Sequence, residues 1–495
     1  MPGPAERRAK LGVFRAWLSI SWLRNVPGRF NLSQLPFAFR TALMMVAVVA
    51  ALSGCASPPD FDEVARTTPG AIPRLKGVRG PLTERQSQAV LDRLRASHAN
   101  SDVLQRHLAF EEAITNTPLT VGNKVTLLHD GTASFDAIFD AIAAAKDHVN
   151  LEYYIFEDVE HRGQHLVDLL AAKQRAGVQV NVIYDSLGSA DTPNEVFDRL
   201  KSSGIKMLSF HPFDATGGRA DYSINDRDHR KILVVDGTTG IIGGVNLSKV
   251  YSSNPLADRD KEAPSPETWR DTDLKIEGPA VADLERLFLD NWSQQNGGPL
   301  NQANFFPQQE ARDGQVVRII GSTPERSQPL FYITLLSAIR NAEQRIWIST
   351  GYFVPTHQEI ELLIAAARRG VDVRLLLPSH TDNQFTVDVA RSHYGDLLEA
   401  GVRIYELQHG ILHSKIAVID GVWSAVGSSN FDGRSVLFND EVDAVVLGRE
   451  TAAQLEAAFT DDVAQSDGID LANWRERPLA QKFDEFISKL WSYWM

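Results

Sequence analysis

The sequence predicts an α/β protein built from two similar lobes related by a pseudo-two-fold. Three observations predict it. From about residue 119, apolar strand-like runs alternate with helical segments, the pattern of an α/β fold. Segments of the second half match segments of the first at an offset of roughly 170–200 residues, too long for a solenoid repeat. A short chemistry-bearing string, H-x-K-x4-D, occurs twice, as His229, Lys231 and Asp236 and as His413, Lys415 and Asp420.

In chain order, residues 1–55 come first. Residues 42–52 are an apolar run preceded by Arg40 and closed by Leu52-Ser53-Gly54-Cys55. The run is shorter than the roughly 20 residues a membrane-spanning helix needs, and it suits the apolar region of a signal peptide. Leu-Ser-Gly-Cys resembles a bacterial lipobox, which implies that Cys55 becomes the lipidated first residue of a mature envelope protein facing the periplasm. An uncleaved anchor or a core helix are the alternatives. The stretch before Arg40 is long for such a signal, so a start downstream of Met1 is also open. Ala56 rather than Asp follows the cysteine; by the same resemblance that favours the outer membrane, and which membrane is used stays open. Cys55 is the single cysteine, which excludes an intramolecular disulfide.

Residues 56–118 read as a tether and a helical segment. Pro58, Pro59, Pro69, Pro73 and Pro81 interrupt the first part. Thr83 is a helix cap, and Leu91, Leu94, Val103, Leu104 and Leu108 fit helical spacing in one or two helices expected to pack on the first lobe. Residues 119–300 and 301–470 are the two lobes. Residues 149–156 correspond to 346–353 as strands. Residues 175–182 correspond to 368–375, each a helix end, a glycine stop and a buried strand. Aligning Gly278 with Gly448 sets Asp271 opposite Glu441 and Asp273 opposite Asp443. Residues 471–495 form an amphipathic helix with Phe483, Phe486, Ile487, Leu490, Trp491 and Trp494 on one stripe. The stripe either caps the second lobe or meets a membrane interface.

Each H-K-D string runs into a four-residue apolar stretch, 232–235 and 416–419, read as a buried strand. Residues i and i+2 of a strand face one way, so each histidine lies beside its lysine, and each aspartate arrives at the strand end before a glycine. Two imidazoles and two ammoniums that converge suit phosphodiester transfer. One histidine attacks phosphorus and the other moves the proton of the leaving and entering alcohols. The lysines offset charge on the non-bridging oxygens. After a short glycine turn, Asn246 in one half and Ser428 and Asn430 in the other are candidate phosphate-binding groups. Asp271 and Glu441 are the paired candidates for orienting the imidazoles through their second nitrogens.

These paired strings, each followed by a G-G/S-x-N turn, resemble the phospholipase D superfamily over residues 119–470. Leu151-Glu152-Tyr153-Tyr154-Ile155-Phe156, Asp185 to Ser189, Trp269-Arg270-Asp271, Gly351 to Pro355, and Asn430 to Ser435 followed by Asn439 and Glu441 resemble its bacterial cardiolipin synthase branch. The resemblance implies tandem lobes, each a mixed sheet flanked by helices, with one shared site. It implies a phosphatidyltransferase that forms a phosphohistidine and passes the phosphatidyl group to the glycerol headgroup of phosphatidylglycerol. It implies no metal or other cofactor. It also implies that His229 is the nucleophile, that His413 is the acid/base, and that Asp236 and Asp420 are structural. Phosphatidylglycerol is the expected substrate, with phosphatidylethanolamine as another donor. Hydrolysis of phospholipids to phosphatidic acid is the alternative, an envelope nuclease a more distant one, and a non-catalytic lipid binder is disfavoured by the intact strings. Members of that branch often begin with transmembrane helices, where this chain has the lipobox-like segment.

Composition bounds the rest. The chain has 495 residues, 43% of them hydrophobic, enough for a large core in several domains. A net charge of −13 argues against nucleic acid as a partner. The other histidines show no metal-ligand spacing. Asp226/Asp228 and Asp258/Asp260 lie outside a calcium-loop frame and read as solvated loop acids. Tyr154 and Tyr352 either line a lipid pocket or are ordinary sheet aromatics.

Overall fold

The computed structural model describes residues 57–96, 102–115, 117–212, 225–252, 268–300, 303–323 and 329–478, with four further positions up to Ser488. The apolar run 42–52, Cys55, Asp258, Asp260 and the C-terminal stripe from Phe483 to Trp494 lie outside the described residues.

Two mixed sheets carry the structure. The first runs in the order Lys206–Phe210, Gln179–Asp185, His148–Tyr153, Lys231–Val235, Thr239–Gly243, Asp273–Glu277, Leu119–Leu128. Its first three strands are parallel and the other pairings are antiparallel. The second repeats this strand for strand: Arg403–Leu407, Asp372–Pro378, Arg345–Thr350, Lys415–Ile419, Trp423–Gly427, Asn439–Leu447, Gln315–Ser322. The sheets join because Leu119–Leu128 also pairs antiparallel with Gln315–Ser322, across an irregularity at Gln315/Val316.

The motif strands are apolar on both faces because both faces are covered. Leu233 and Val235 pack with Phe135, Ile138 and Leu170 beneath the first lobe's helices. Ile232 and Val234 point the other way, into a core shared with Ile319, Val418, Val442 and Ala444 of the second lobe. Each of these side chains is at most 4% exposed, and each such burial stabilises by about 1.5–3 kcal/mol. The inner faces of the two sheets thus meet each other, while helices such as Gly131–Ala144 and Leu330–Asn341 cover the outer faces.

The segment before the lobes differs from expectation in two ways. Residues 57–82 are not a free tether. Phe61–Thr67 is a helix capped by Asp60, Phe61 is buried, and its amide donates to Gln358 at 2.7 Å. Five prolines signalled extended chain, but one apolar anchor and the short strand Leu75–Gly77, added parallel to Leu119–Leu128, tie it down. The helices also pack on the second lobe rather than the first. Leu91, Val103, Leu104 and Leu108 join the core of Ile339, Ile346 and Trp423. His107 Nδ1 lies 3.1 Å from Ser337 Oγ, and Arg318 pairs with Glu112. Chain proximity pointed to the nearer lobe; the apolar far side of Leu330–Asn341, buried from Phe331 to Ile339, decided otherwise. Thr83 does cap Glu84–Ala96, reciprocally with Gln86.

Candidate active site

Each motif histidine emerges from a short parallel bridge between the lobes. Arg227–Asp228 pairs with Asn439–Asp440, and Trp269–Arg270 pairs with Ile411–Leu412. The backbone carries each register one step further. His229 N donates to Asp440 O at 2.9 Å, and His413 N donates to Arg270 O at 2.8 Å. That step sets Glu441 beside His229 and Asp271 beside His413. The pairing is therefore crosswise: each imidazole is oriented by a carboxylate of the other lobe.

His229 Nδ1 lies 3.0 and 3.1 Å from the two Glu441 oxygens. His413 Nδ1 lies 2.7 Å from Asp271 Oδ2. Both carboxylates are fully buried, and both imidazoles line one cavity of about 310 Å³. With Nδ1 turned to a carboxylate, Nε2 is the nitrogen each ring has left for chemistry. Lys231 Nζ donates to His229 O at 2.5 Å, and Lys415 Nζ donates to His413 O, so each ammonium sits directly behind its own histidine. Lys415 Nζ is also 2.8 Å from His413 Nδ1.

Burial dominates the electrostatics. It lowers His229 to about 4 against the opposing pull of Glu441, and it lowers His413 well below the usual imidazole range. Both rings are therefore neutral at pH 7 with the cleft empty. Burial brings Lys231 down to about 7 and Lys415 to about 8, with Glu441 and Asp271 as the respective leading charges holding them up. The two carboxylates differ. Burial pushes Asp271 up to about 6, whereas for Glu441 burial is outweighed by His229, Lys231 and Ser428, which hold it below the usual carboxylate range.

Glycines make room for a carboxylate at one point and for a histidine backbone at another. A Cβ on Gly244 would stand 2.1 Å from Asp271 Oδ1, and one on Gly351 would stand 2.7 Å from the Cα of His413. Asn246 lines the cavity, accepts from Ile155 N at 3.1 Å and reaches Tyr251 OH at 3.5 Å. Asn430 lines it too, held by its backbone N–H donating to Ser435 Oγ at 3.1 Å. Ser428 is a correction to the sequence reading. Its hydroxyl does not line the cavity but donates to Glu441 Oε2 at 2.5 Å, behind the carboxylate. A G-S-S-N turn offers two serines and an asparagine, and only the fold shows which of them faces the cleft.

Asp236 and Asp420 sit at the strand ends with φ near +51° and +52°. Asp236 accepts from the backbone N–H groups of Lys146, Asp147 and His148, and Asp420 from those of Glu343, Gln344 and Arg345. Both fasten a helix-to-strand connection and neither reaches the cleft. Tyr154 and Tyr352 do line it, their rings 5.1 Å from His229 and 5.7 Å from His413. Asp228 is fully buried against Arg230 and Asn291 rather than solvated. Sequence reasoning missed Tyr251, whose hydroxyl is 3.1 Å from His413 Nδ1, and it missed Asp382, Arg227 and Arg434 on the cavity wall. Tyr251 carries no local signal. Arg434 lay inside a quoted motif without a role. Among the described residues no three His, Cys, Asp or Glu side chains gather as metal ligands.

Comparison with known proteins finds relatives along most of the chain. A family profile described as a cardiolipin synthase, PLD-like domain, matches residues 138–255 and 335–463, one H-K-D string in each. The cardiolipin synthase of Geobacillus sp. (strain WCH70) is 34% identical over 387 residues, covering 78% of this chain and 75% of that protein. Cardiolipin synthase A of Pseudomonas aeruginosa (strain UCBPP-PA14) is 36% identical over 357 residues, covering 71% and 69%. Among solved structures, phosphatidylserine synthase of Haemophilus influenzae Rd KW20 aligns with a TM-score of 0.55 at 14% identity, over 76% of this chain and 94% of that one, a likeness of fold.

Proposed function

Because this chain belongs to the cardiolipin synthase family of phospholipase D-like proteins, we propose that it is a phosphatidyltransferase joining two phosphatidylglycerol molecules into cardiolipin and glycerol. The observation that carries the reading is the crossed pair of histidine–carboxylate contacts opening on one cavity.

His229 is the nucleophile. Its Nε2 lone pair attacks the donor phosphorus, the bond from phosphorus to the headgroup oxygen breaks, and His413 gives that oxygen its proton. The acceptor hydroxyl then attacks the same phosphorus and returns a proton to His413, and the bond to His229 breaks. Glu441 favours His229 for the first role: it is the carboxylate held ionised, and the imidazole acquires positive charge on phosphorylation. Asp271 fixes the tautomer of His413. A bound phosphodiester adds a negative charge beside both lysines and both rings, which raises their proton affinity and lets His413 carry a proton at neutral pH. Asn246 and Asn430 face the non-bridging oxygens, Lys231 and Lys415 offset their charge from behind the histidines, and Asp236 and Asp420 hold the loops.

The chain works at a membrane because its substrates are there. We place its anchor at Cys55 in the bacterial envelope; Cys55→Ser should move the protein from the membrane to the soluble fraction without removing activity. Among the described residues no helix is long and apolar enough to cross a membrane.

The test is a product analysis. Full-length protein is mixed with phosphatidylglycerol vesicles, with and without phosphatidylethanolamine, and the lipids are read by mass spectrometry. Cardiolipin with free glycerol is expected, and the second vesicle shows whether phosphatidylethanolamine also donates. Phosphatidic acid as the sole product would replace this reading with hydrolysis.

A further inference from the structure

Transfer between two phospholipids brings two phosphates into one cleft. The histidines and lysines account for the phosphate that reacts. Two arginines on the same wall are left over. Arg227 comes from the first lobe and is 2% exposed; Arg434 comes from the helix Gly433–Leu437 of the second. Arg227 Nε donates to Asp226 O at 2.7 Å, and Arg434 Nη2 donates to Asn225 O at 3.3 Å. These are consecutive carbonyls, so both side chains are tied to one stretch of backbone, and both line the one cavity. Two cationic side chains facing one cavity, one of them buried, attract an anion into it.

Among the described residues, each carboxylate near them carries other contacts as well. Asp185 forms a buried ion pair with Arg227 at 3.6 Å but shares its charge with the N–H groups of Leu187, Gly188 and Asp228, and Arg227 Nη1 also donates to Ser186 Oγ at 3.2 Å. Asp432 caps its own helix through Ser435 N, and Asp382 accepts from Tyr352 and Thr381. Backbone alternation sets the spacing. Asp228 turns away toward Asn291, while Arg227 and His229 both line the cavity. Two residues of extended chain span about 6.6 Å. A glycerol with a phosphate on one end, and its other end attacking phosphorus, holds the two phosphorus atoms a comparable distance apart.

We propose that Arg227 and Arg434 form a second anion subsite that binds the acceptor's own phosphate, so that the cleft selects a glycerophosphate headgroup over a bare alcohol. This rests on the transferase reading above. The planar guanidinium fork matches phosphate oxygens, and two forks from two lobes fix the acceptor's direction. The free hydroxyl of the acceptor then meets the phosphorus on His229, the new P–O bond replaces the P–N bond, and the proton passes to His413. The phosphate held by the arginines changes no bonds.

The unaltered full-length protein provides the first test. Phosphatidylglycerol vesicles are supplied with equal concentrations of isotope-labelled glycerol and glycerol 3-phosphate. Transfer to the first returns labelled phosphatidylglycerol; transfer to the second gives phosphatidylglycerol phosphate. Glycerol 3-phosphate is expected to be the better acceptor by about tenfold or more, the contribution of a single charge-assisted contact. Equal or poorer use would overturn the proposal. Arg434→Gln is then expected to lower the ratio of cardiolipin to labelled phosphatidylglycerol about tenfold, with Arg434→Lys recovering part of it. An unchanged ratio would also overturn it. Phosphatidic acid alone, whatever the acceptor, is a separate failure: it would sink the transferase reading and this subsite with it.

Discussion

Replacing Glu441 by glutamine probes the crosswise design most directly. The carboxylate is fully buried, and it accepts from His229 Nδ1, from Ser428 Oγ at 2.5 Å and from Asn439 Nδ2 at 3.2 Å. Glutamine keeps the shape but loses the charge and turns one acceptor into a donor. The imidazole tautomer is then no longer fixed, and the positive charge that develops on His229 loses its counter-ion. A hydrogen bond to a charged partner is worth about 1.5–3 kcal/mol, which is about 10- to 100-fold in rate. Lys231, already down to about 7, has Glu441 as the leading charge sustaining it, so the variant also loses ammonium at neutral pH. We therefore expect kcat/KM for cardiolipin formation to fall about 100-fold, measured as initial rates from phosphatidylglycerol vesicles, with a near-native melting curve. A loss below about threefold in a folded variant would refute the argument that the second lobe's carboxylate activates the first lobe's histidine.

Four other expectations follow from the same geometry. With a p-nitrophenyl phosphatidyl ester, whose leaving group needs no proton, His413→Ala should still release a burst of p-nitrophenol and trap the phosphoenzyme, whereas His229→Ala should give none; the reverse pattern would exchange the two roles. The pH profile of kcat/KM should rise as His229 deprotonates near 4 and fall as Lys231 and Lys415 deprotonate near 7 and 8, and activity that climbs between pH 8 and 10 would contradict the role of the ammoniums. Asp420→Ala removes the acceptor of three backbone N–H groups at a position of positive φ and should cost about 2–4 kcal/mol in denaturant unfolding, with Asp420→Asn costing less. Chelation with EDTA should leave initial rates unchanged, since the residues assigned to each step are side chains of this chain; strong inhibition restored by a divalent cation would reopen the mechanism.

Much of this was legible in one dimension because it rests on local periodicity. The paired H-K-D strings marked two strands and put each histidine beside its lysine, and the matched offsets gave two similar lobes. The glycine beside each motif aspartate marked the strand end, while the structural role of those aspartates came from the family resemblance alone. What failed was long-range. The prolines of residues 57–82 said nothing of the hydrophobic anchor at Phe61, and the helices after Thr83 lie on the lobe farther along the chain. Ser428 sits behind Glu441 because a turn's backbone path, and not its composition, decides which hydroxyl faces the cleft.

The sequence by itself determined the chemistry on offer: two imidazoles, two ammoniums, two carboxylates, and a repeat that makes them equivalent. Only the tertiary structure decided who serves whom. His229 takes Glu441 and His413 takes Asp271 because two short parallel bridges between the lobes set that register. The same bridges bring Arg227 and Arg434 together from opposite halves of the chain. Side-chain pairing across more than 140 residues depends on how sheets stack, and no local pattern of residues encodes that.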